Sequence, residues 1–293
     1  MPARQVVIVF DEQSAIHRQV RAGLRLALDV PSGVGRVEFI DVPLDSVEKG
    51  ARLDDADLVV TLGSLGARAV FAAAPEAPVL NALLPKQAFD LLRANGGPQP
   101  RRASVLYLDQ PVERQLALAR LVLPGGRSAG ALAGSAVLAR ATEFSSAARS
   151  QGFDLELVEV GDGAPGAEAI RRVVHNNQLV VTLYDPAVLD ASTAKWLLYL
   201  AYQERVPVIG LSDAYVKAGA AAAVFSTPEQ IGRHVGERVV EFLTRGWQAV
   251  ADPEPPRHYS VALNSSVART LGLAERDEEK LLESLRATLG ETP

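Results

Sequence analysis

Acids, hydroxyls and glycines cluster in this sequence where short β-rich runs end, and such residues are suited to holding a small polar molecule. The most informative stretch is Thr61-Leu62-Gly63-Ser64-Leu65-Gly66-Ala67, a glycine turn that leads into a helix. The first N–H groups of a helix have no partner within it and its positive dipole end favours anions, so this turn has the means to hold a carboxylate or phosphate. Capping of the helix by Ser64, with the glycines relieving crowding, is the competing role. Other run ends carry Gln13 in Asp11-Glu12-Gln13, Asn81, Asp109-Gln110, Ser135, Tyr184-Asp185, and Ser212-Asp213 followed by Tyr215. An acid beside a tyrosine suits an ammonium group, which the carboxylate neutralises while the ring covers its apolar flank. Asp185 precedes Pro186 and Asp213 stands at an expected helix start, so turn formation and capping compete with ligand contact there.

Signals of bond-breaking chemistry are weak. The four histidines, His17, His175, His234 and His258, lie far apart with no i, i+4 pair, and read as solvated helix or loop residues. There is no G-x-G-x-x-G after a strand, no Walker-type lysine loop and no G-x-S-x-G nucleophile turn. Asp11 and Glu12 fit an acidic phospho-acceptor pocket, but the matching aspartate at the next expected strand end is absent. The sequence has no cysteine, which excludes disulfides, thiolate metal sites and a Cys nucleophile. No metal or cofactor is expected. A formal net charge of -5 gives no broad attraction to nucleic-acid phosphates. No apolar run approaches the ~20 residues that span a bilayer. Met1 to Phe10 enters a strand-like run without the basic segment, long apolar core and cleavage site of an export signal, so either the protein stays inside or that signal is not part of this sequence.

The elements that must position these residues alternate, β-rich run with amphipathic helix, which is the pattern of parallel sheets covered by helices. One series runs through Gln5 to Phe10, Val37 to Val42, Asp57 to Leu62, Pro78 to Leu83 and Ser104 to Leu108. A second restarts at Ser128 to Ala133 and continues with Leu155 to Val160, Leu179 to Leu183, Val206 to Leu211 and Ala221 to Phe225. At 293 residues, 48% hydrophobic and 22% charged, the chain has the length and composition for two α/β units in tandem. A helix is expected over 111–123, with Leu116 and Leu123 toward the sheet and Glu113, Arg114 and Arg120 outside. Another runs from Thr227 to Trp247, and a charged one from Asp277 to Leu289. The proline-rich Asp252-Pro253-Glu254-Pro255-Pro256 reads as a stiff crossing segment.

Several of these segments together resemble the ABC transporter substrate-binding proteins related to bacterial tryptophan and aromatic amino-acid receptors. They are Val59-Val60-Thr61-Leu62-Gly63-Ser64, Arg205 to Ser212, Val216-Lys217-Ala218-Gly219-Ala220, and Leu263-Asn264-Ser265-Ser266-Val267-Ala268-Arg269-Thr270-Leu271-Gly272-Leu273. The resemblance implies a type I periplasmic-binding-protein architecture, two Rossmann-like lobes with parallel sheets that close on a small ligand. Lobe 1 would comprise 1–109 and 227–250, and lobe 2 would comprise 110–226 and 251–293, with hinge crossings near 109–111, 225–228 and 252–256. Ser64 and Leu65 would meet a ligand carboxylate, Asp185 its amino group, and Ser212 and Asp213 the opposite wall. The sequence departs from the family's usual residues at Ser64-Leu65, around Asn81 and over Arg102 to Gln110. A membrane permease would be the partner, the location periplasmic and the state monomeric. The alternatives are a sensory module using the same clasp, and an α/β enzyme on a small metabolite.

Overall fold

Runs of Val, Ile, Leu and Ala build the sheets, and the helices between them present one apolar face each. The structure, a computed structural model, describes residues 3–28, 35–161, 166–273 and 277–291. Along the chain come β1 (Arg4–Phe10), α1 (Ala15–Leu28), β2 (Val37–Pro43), α2 (Leu44–Glu48), β3 (Leu58–Leu62), α3 (Gly63–Ala73), β4 (Val79–Leu84), α4 (Lys86–Ala94) and β5 (Ala103–Tyr107). Next are α5 (Val112–Val122), β6 (Ser128–Ala133), α6 (Ser135–Leu138), α7 (Ala141–Ser150), β7 (Asp154–Glu159), α8 (Ala167–His175), β8 (Val180–Val181), α9 (Ala191–Gln203), β9 (Val208–Gly210), α10 (Asp213–Ala218) and β10 (Ala222–Phe225). Then follow α11 (Pro228–Arg245), a 3-10 turn at Trp247–Ala249, β11 (Ser260–Leu263), α12 (Ser265–Thr270) and α13 (Glu278–Leu289). The chain divides into two compact units, Met1–Asp109 with Ser226–Tyr259, and Gln110–Phe225 with Ser260–Pro293.

Unit 1 holds a parallel sheet in the order β2-β1-β3-β4-β5. Successive side chains of a strand point to opposite faces. Val6, Ile8 and Phe10 therefore pack with Val20 and Leu24 of α1 and Ile231 and Val235 of α11, while Val7 and Val9 pack with Val47 and Val70 on the other side. Burial on both faces explains why these strands read as unbroken apolar runs. Helix α11 opens on a capping box of Thr227 and Gln230 with Pro228 in its first turn. At three glycines its backbone comes close against α1. A Cβ on Gly23 would come within 2.6 Å of the Glu229 carbonyl oxygen, and one on Gly236 within 2.6 Å of the Ala27 Cβ; one on Gly232 would overlap the Val20 carbonyl oxygen.

Unit 2 has the order β11-β10-β9-β8-β6-β7. It is parallel except for β11, which runs antiparallel along β10 with Phe225 opposite Ser260, an edge strand absent from the expected series. The expected strand over Leu179 to Leu183 pairs only at Val180–Val181, and there the Thr182 hydroxyl donates to the Ile209 carbonyl at 2.8 Å. Arg114 corrects the expected facing of α5. It is 7% exposed, donating from Nε and Nη2 to Glu291 at 3.0 and 2.9 Å and from Nη1 to Gln110 at 2.9 Å.

The chain passes between the units at Asp109–Gln110, Phe225–Ser226 and Tyr259–Ser260. The third passage lies beyond the proline-rich segment read as a crossing. Glu254 continues the sheet edge of unit 1, its N–H donating to the Val105 carbonyl at 3.1 Å and its carbonyl accepting from the Tyr107 N–H at 2.9 Å. Residues 251–259 thus belong with unit 1 rather than with the second lobe. His234 also differs from the solvated role its sequence context suggested, for it is 0% exposed.

Candidate functional site

In an open parallel sheet, ligands bind beyond the carboxyl ends of the two strands where the order of winding reverses. In unit 1 the chain winds from β1 out to β2 and then back to β3, so the reversal lies between β1 and β3. A pocket of about 180 Å³ opens there, lined by Asp11, Ser14, His17, Leu44 and Leu62 to Gly66. Asp11 and Ser14 follow β1, and Gly63 to Gly66 follow β3.

The start of α3 forms one wall. Leu62 occupies the N-cap position and supplies no side-chain hydrogen bond, so Ser64 is not the cap. The first N–H groups of an α-helix have no intrahelical partner and lie at its positive end. Ser64 is exposed and Leu65 is 57% exposed. Gly63 has φ +76°, a conformation that favours glycine, and a Cβ there would sit 3.0 Å from Nε2 of His17.

His17 forms the other wall, and its chemistry was not visible in the sequence. The Asp11 N–H donates to its Nδ1 at 3.0 Å, and its own N–H donates to the Ser14 hydroxyl at 3.2 Å, which caps α1. An imidazole that accepts at Nδ1 carries its proton at Nε2. Burial holds its pKa below the ordinary value, against the opposing pull of the Asp11 carboxylate. One oxygen of that carboxylate accepts the Gln13 N–H at 2.9 Å. The pocket therefore combines N–H and O–H donors with one carboxylate. Only the spacing of a residue six positions past a strand-end acid hinted at this pairing.

The other strand-end residues fare differently. Asn81 is corrected from a ligand contact to a sheet residue: it is 0% exposed, accepts from the Thr61 hydroxyl at 2.7 Å and donates to the Ser104 carbonyl at 2.8 Å. Asp109 accepts the Lys86 N–H at 2.6 Å and so fixes the start of α4. Gln110 belongs to unit 2 and accepts from Arg114.

In unit 2 the winding reverses between β6 and β8. Asp185 spans that point. Its Oδ2 accepts the Gly134 N–H at 3.1 Å and its Oδ1 the Ala187 N–H at 3.1 Å, with 2% of the residue exposed. A Cβ on Gly134 would lie 2.7 Å from that Oδ2. The carboxylate that was expected to meet an ammonium group thus holds two loops together. Beside it Ser135 and Tyr184 are exposed. At the end of β9, Ser212 is the N-cap of α10 without a side-chain bond, and Asp213 pairs with Lys217 at 2.5 Å. Tyr215 is half-buried against Gly210, and burial raises its phenol pKa. Among the described residues no group of three His, Cys, Asp or Glu side chains could hold a metal ion, and no helix is long and apolar enough to cross a membrane.

Residues 48–284 match the family described as ABC transporter substrate binding protein, and the chain belongs to that family. Its members are binding receptors, which sets aside the reading as an enzyme. Solved structures share the two-lobed α/β fold. A ligand-free, open substrate-binding protein with adhesive properties from Clostridium difficile superposes with a TM-score of 0.71 at 16% identity, over 94% of this chain and 97% of that one. An ABC domain in complex with L-Trp from Streptococcus pneumoniae gives 0.59 at 18% identity, over 96% and 98%. A conserved domain protein from Vibrio cholerae gives 0.58 at 20%, over 97% and 98%. No curated protein matches.

Proposed function

We propose that this chain is the receptor of an ABC importer, and that it takes up a small zwitterion, an amino acid being the best fit, at the pocket between the ends of β1 and β3. The observation that carries this reading is the composition of that pocket. The start of α3 and the His17 Nε2–H offer donors to a carboxylate, and Asp11 offers an acceptor for an ammonium group. Asp11 takes the part that the sequence assigned to Asp185. The L-Trp complex of the Streptococcus pneumoniae relative supports an amino acid as the ligand class. Gln13, Ser64 and Leu65 in unit 1, and Ser135, Tyr184, Ser212, Asp213 and Tyr215 at the strand ends of unit 2, are proposed contacts. Delivery to a membrane permease, a periplasmic location and a monomeric state belong to the same reading.

Calorimetry with a panel of amino acids, their decarboxylated amines and their deaminated acids tests it. Saturable binding of one or more amino acids, lost with both truncated forms, is the expected result. Binding of a neutral sugar with no response to any amino acid would overturn the ligand class.

A further inference from the structure

A second cluster of titratable groups lies away from the pocket, where α11 meets residues 252–258. His234, on α11 and fully buried, has both ring nitrogens engaged. Its Nδ1 accepts the backbone N–H of Arg257 at 3.2 Å, and its Nε2 lies 2.8 Å from Oε1 of Glu254. An imidazole that accepts at Nδ1 is neutral and donates from Nε2, so Glu254 is the acceptor. The ring of His258 stands edge-on to it at 5.9 Å, with Nε2 at 2.8 and 2.9 Å from the Glu237 oxygens. Arg238 meets Glu254 at 3.1 Å and Glu241 at 2.7 Å, and Arg257 reaches Glu241 at 2.8 Å and Glu254 at 3.1 Å. Toward α11, α1 brings Val20, Gly23, Leu24 and Ala27.

This cluster fastens the segment that leads to the third passage between the units. The fastening reaches the second passage as well, because the Ser226 hydroxyl donates to the His258 carbonyl at 2.6 Å. We propose that His234 is a proton-operated latch: neutral, it holds the 252–258 segment to α11, and protonated, it lets that segment go. An imidazolium has no acceptor, so a proton on Nδ1 would face the Arg257 N–H and break that bond. Two guanidinium groups, Arg238 and Arg257, also stand against a third positive charge, while Glu254 and Glu237 favour it. Burial is the largest influence and holds the His234 pKa below its ordinary value. The closed latch therefore binds a proton less readily than the open one. Closure is complete above the ordinary imidazole range and is lost as pH falls toward the depressed value.

Amide hydrogen exchange of the full chain, read at Arg257, whose N–H the His234 ring accepts, and divided by the intrinsic rate at each pH, tests the latch without any ligand. One linked proton makes the opening equilibrium of the wild type rise by about tenfold per pH unit below pH ~6.5. His234→Asn keeps an acceptor near the Nδ1 position but cannot titrate, so its opening should be flat with pH. Glu254→Gln removes a charge that favours the imidazolium in the closed latch, so its rise should continue to lower pH before levelling off, which gives a second test should His234→Asn fail to fold. A flat wild-type profile, or equal slopes in the wild type and the asparagine variant, would overturn the proposal. So would a Glu254→Gln rise that levels off at higher pH than that of the wild type.

Discussion

The ring of His17 occupies the space that a methyl group on Gly63 would need, with Nε2 3.0 Å from that position. A strand-end glycine with φ +76° and a histidine of α1 thus fix each other across the pocket. Gly63→Ala should cost about 1 to 2 kcal/mol from backbone conformation alone. It should also displace His17 and weaken ligand binding by more than tenfold, as calorimetry on the folded variant would show.

Asp11→Asn keeps an acceptor for the Gln13 N–H and removes only the charge. Loss of a hydrogen bond to a charged group is worth about 1.5 to 3 kcal/mol, so amino-acid affinity should fall by at least tenfold. Ser64→Ala should weaken it by less than about fivefold, because the backbone donors of α3 remain. Equal affinity in the wild type and Asp11→Asn would remove Asp11 from the site.

Asp185→Ala should act on stability. It leaves the N–H groups of Gly134 and Ala187 without their acceptor, at a cost of about 1 to 3 kcal/mol each where the groups stay buried. A lower unfolding midpoint in urea with ligand affinity changed by less than threefold is expected. The opposite pattern would restore Asp185 as the ammonium partner.

These substitutions also show what the sequence could and could not disclose. Glycine turns and apolar runs are local signals, so the β3–α3 turn and most strand positions were legible. Burial of a polar group is decided by partners far along the chain. Arg114 is buried because Glu291 lies 177 residues away in sequence, and His234 because Glu254 and Arg257 fold back onto it. Ser260–Leu263 was missed as a strand for a similar reason: four residues carry little periodicity, and pairing along β10 defines them. Asp185 was correctly placed beyond a strand's carboxyl end, whereas Asn81 lies within β4; whether such a group faces a ligand, its own loop or the sheet is settled only by the hydrogen bonds it makes.

Stability should fall between pH 7 and pH 5. His17 and His234 both have pKa values depressed by burial, so the unfolded chain binds more protons in this window. Their stabilisation is present above the ordinary imidazole value and is lost as pH drops through the depressed ones. Urea midpoints measured across the window should decline, and His17→Asn should flatten the decline. A midpoint that rose on acidification would contradict both assignments.

Gly232→Ala inserts a methyl group against the Val20 carbonyl oxygen, and overpacking of this kind costs about 1 to 3 kcal/mol. Gly125→Ala, with nothing within 4 Å of the added group, should change stability by less than about 0.5 kcal/mol. Thermal unfolding of the pair isolates the close approach of α1 and α11.

That same approach has a consequence for the order of events on the ribosome. Val20 and Leu24 are synthesised long before the helix that covers them, α11, which begins at Pro228. Unit 2, begun at Gln110, in turn awaits β11 and α13, which follow the chain's return through unit 1. Neither unit can close its core as a contiguous piece of nascent chain. The face of β1 and α1 must therefore stay uncovered while residues 110–225 are made, a stage more in need of a chaperone than the finished molecule.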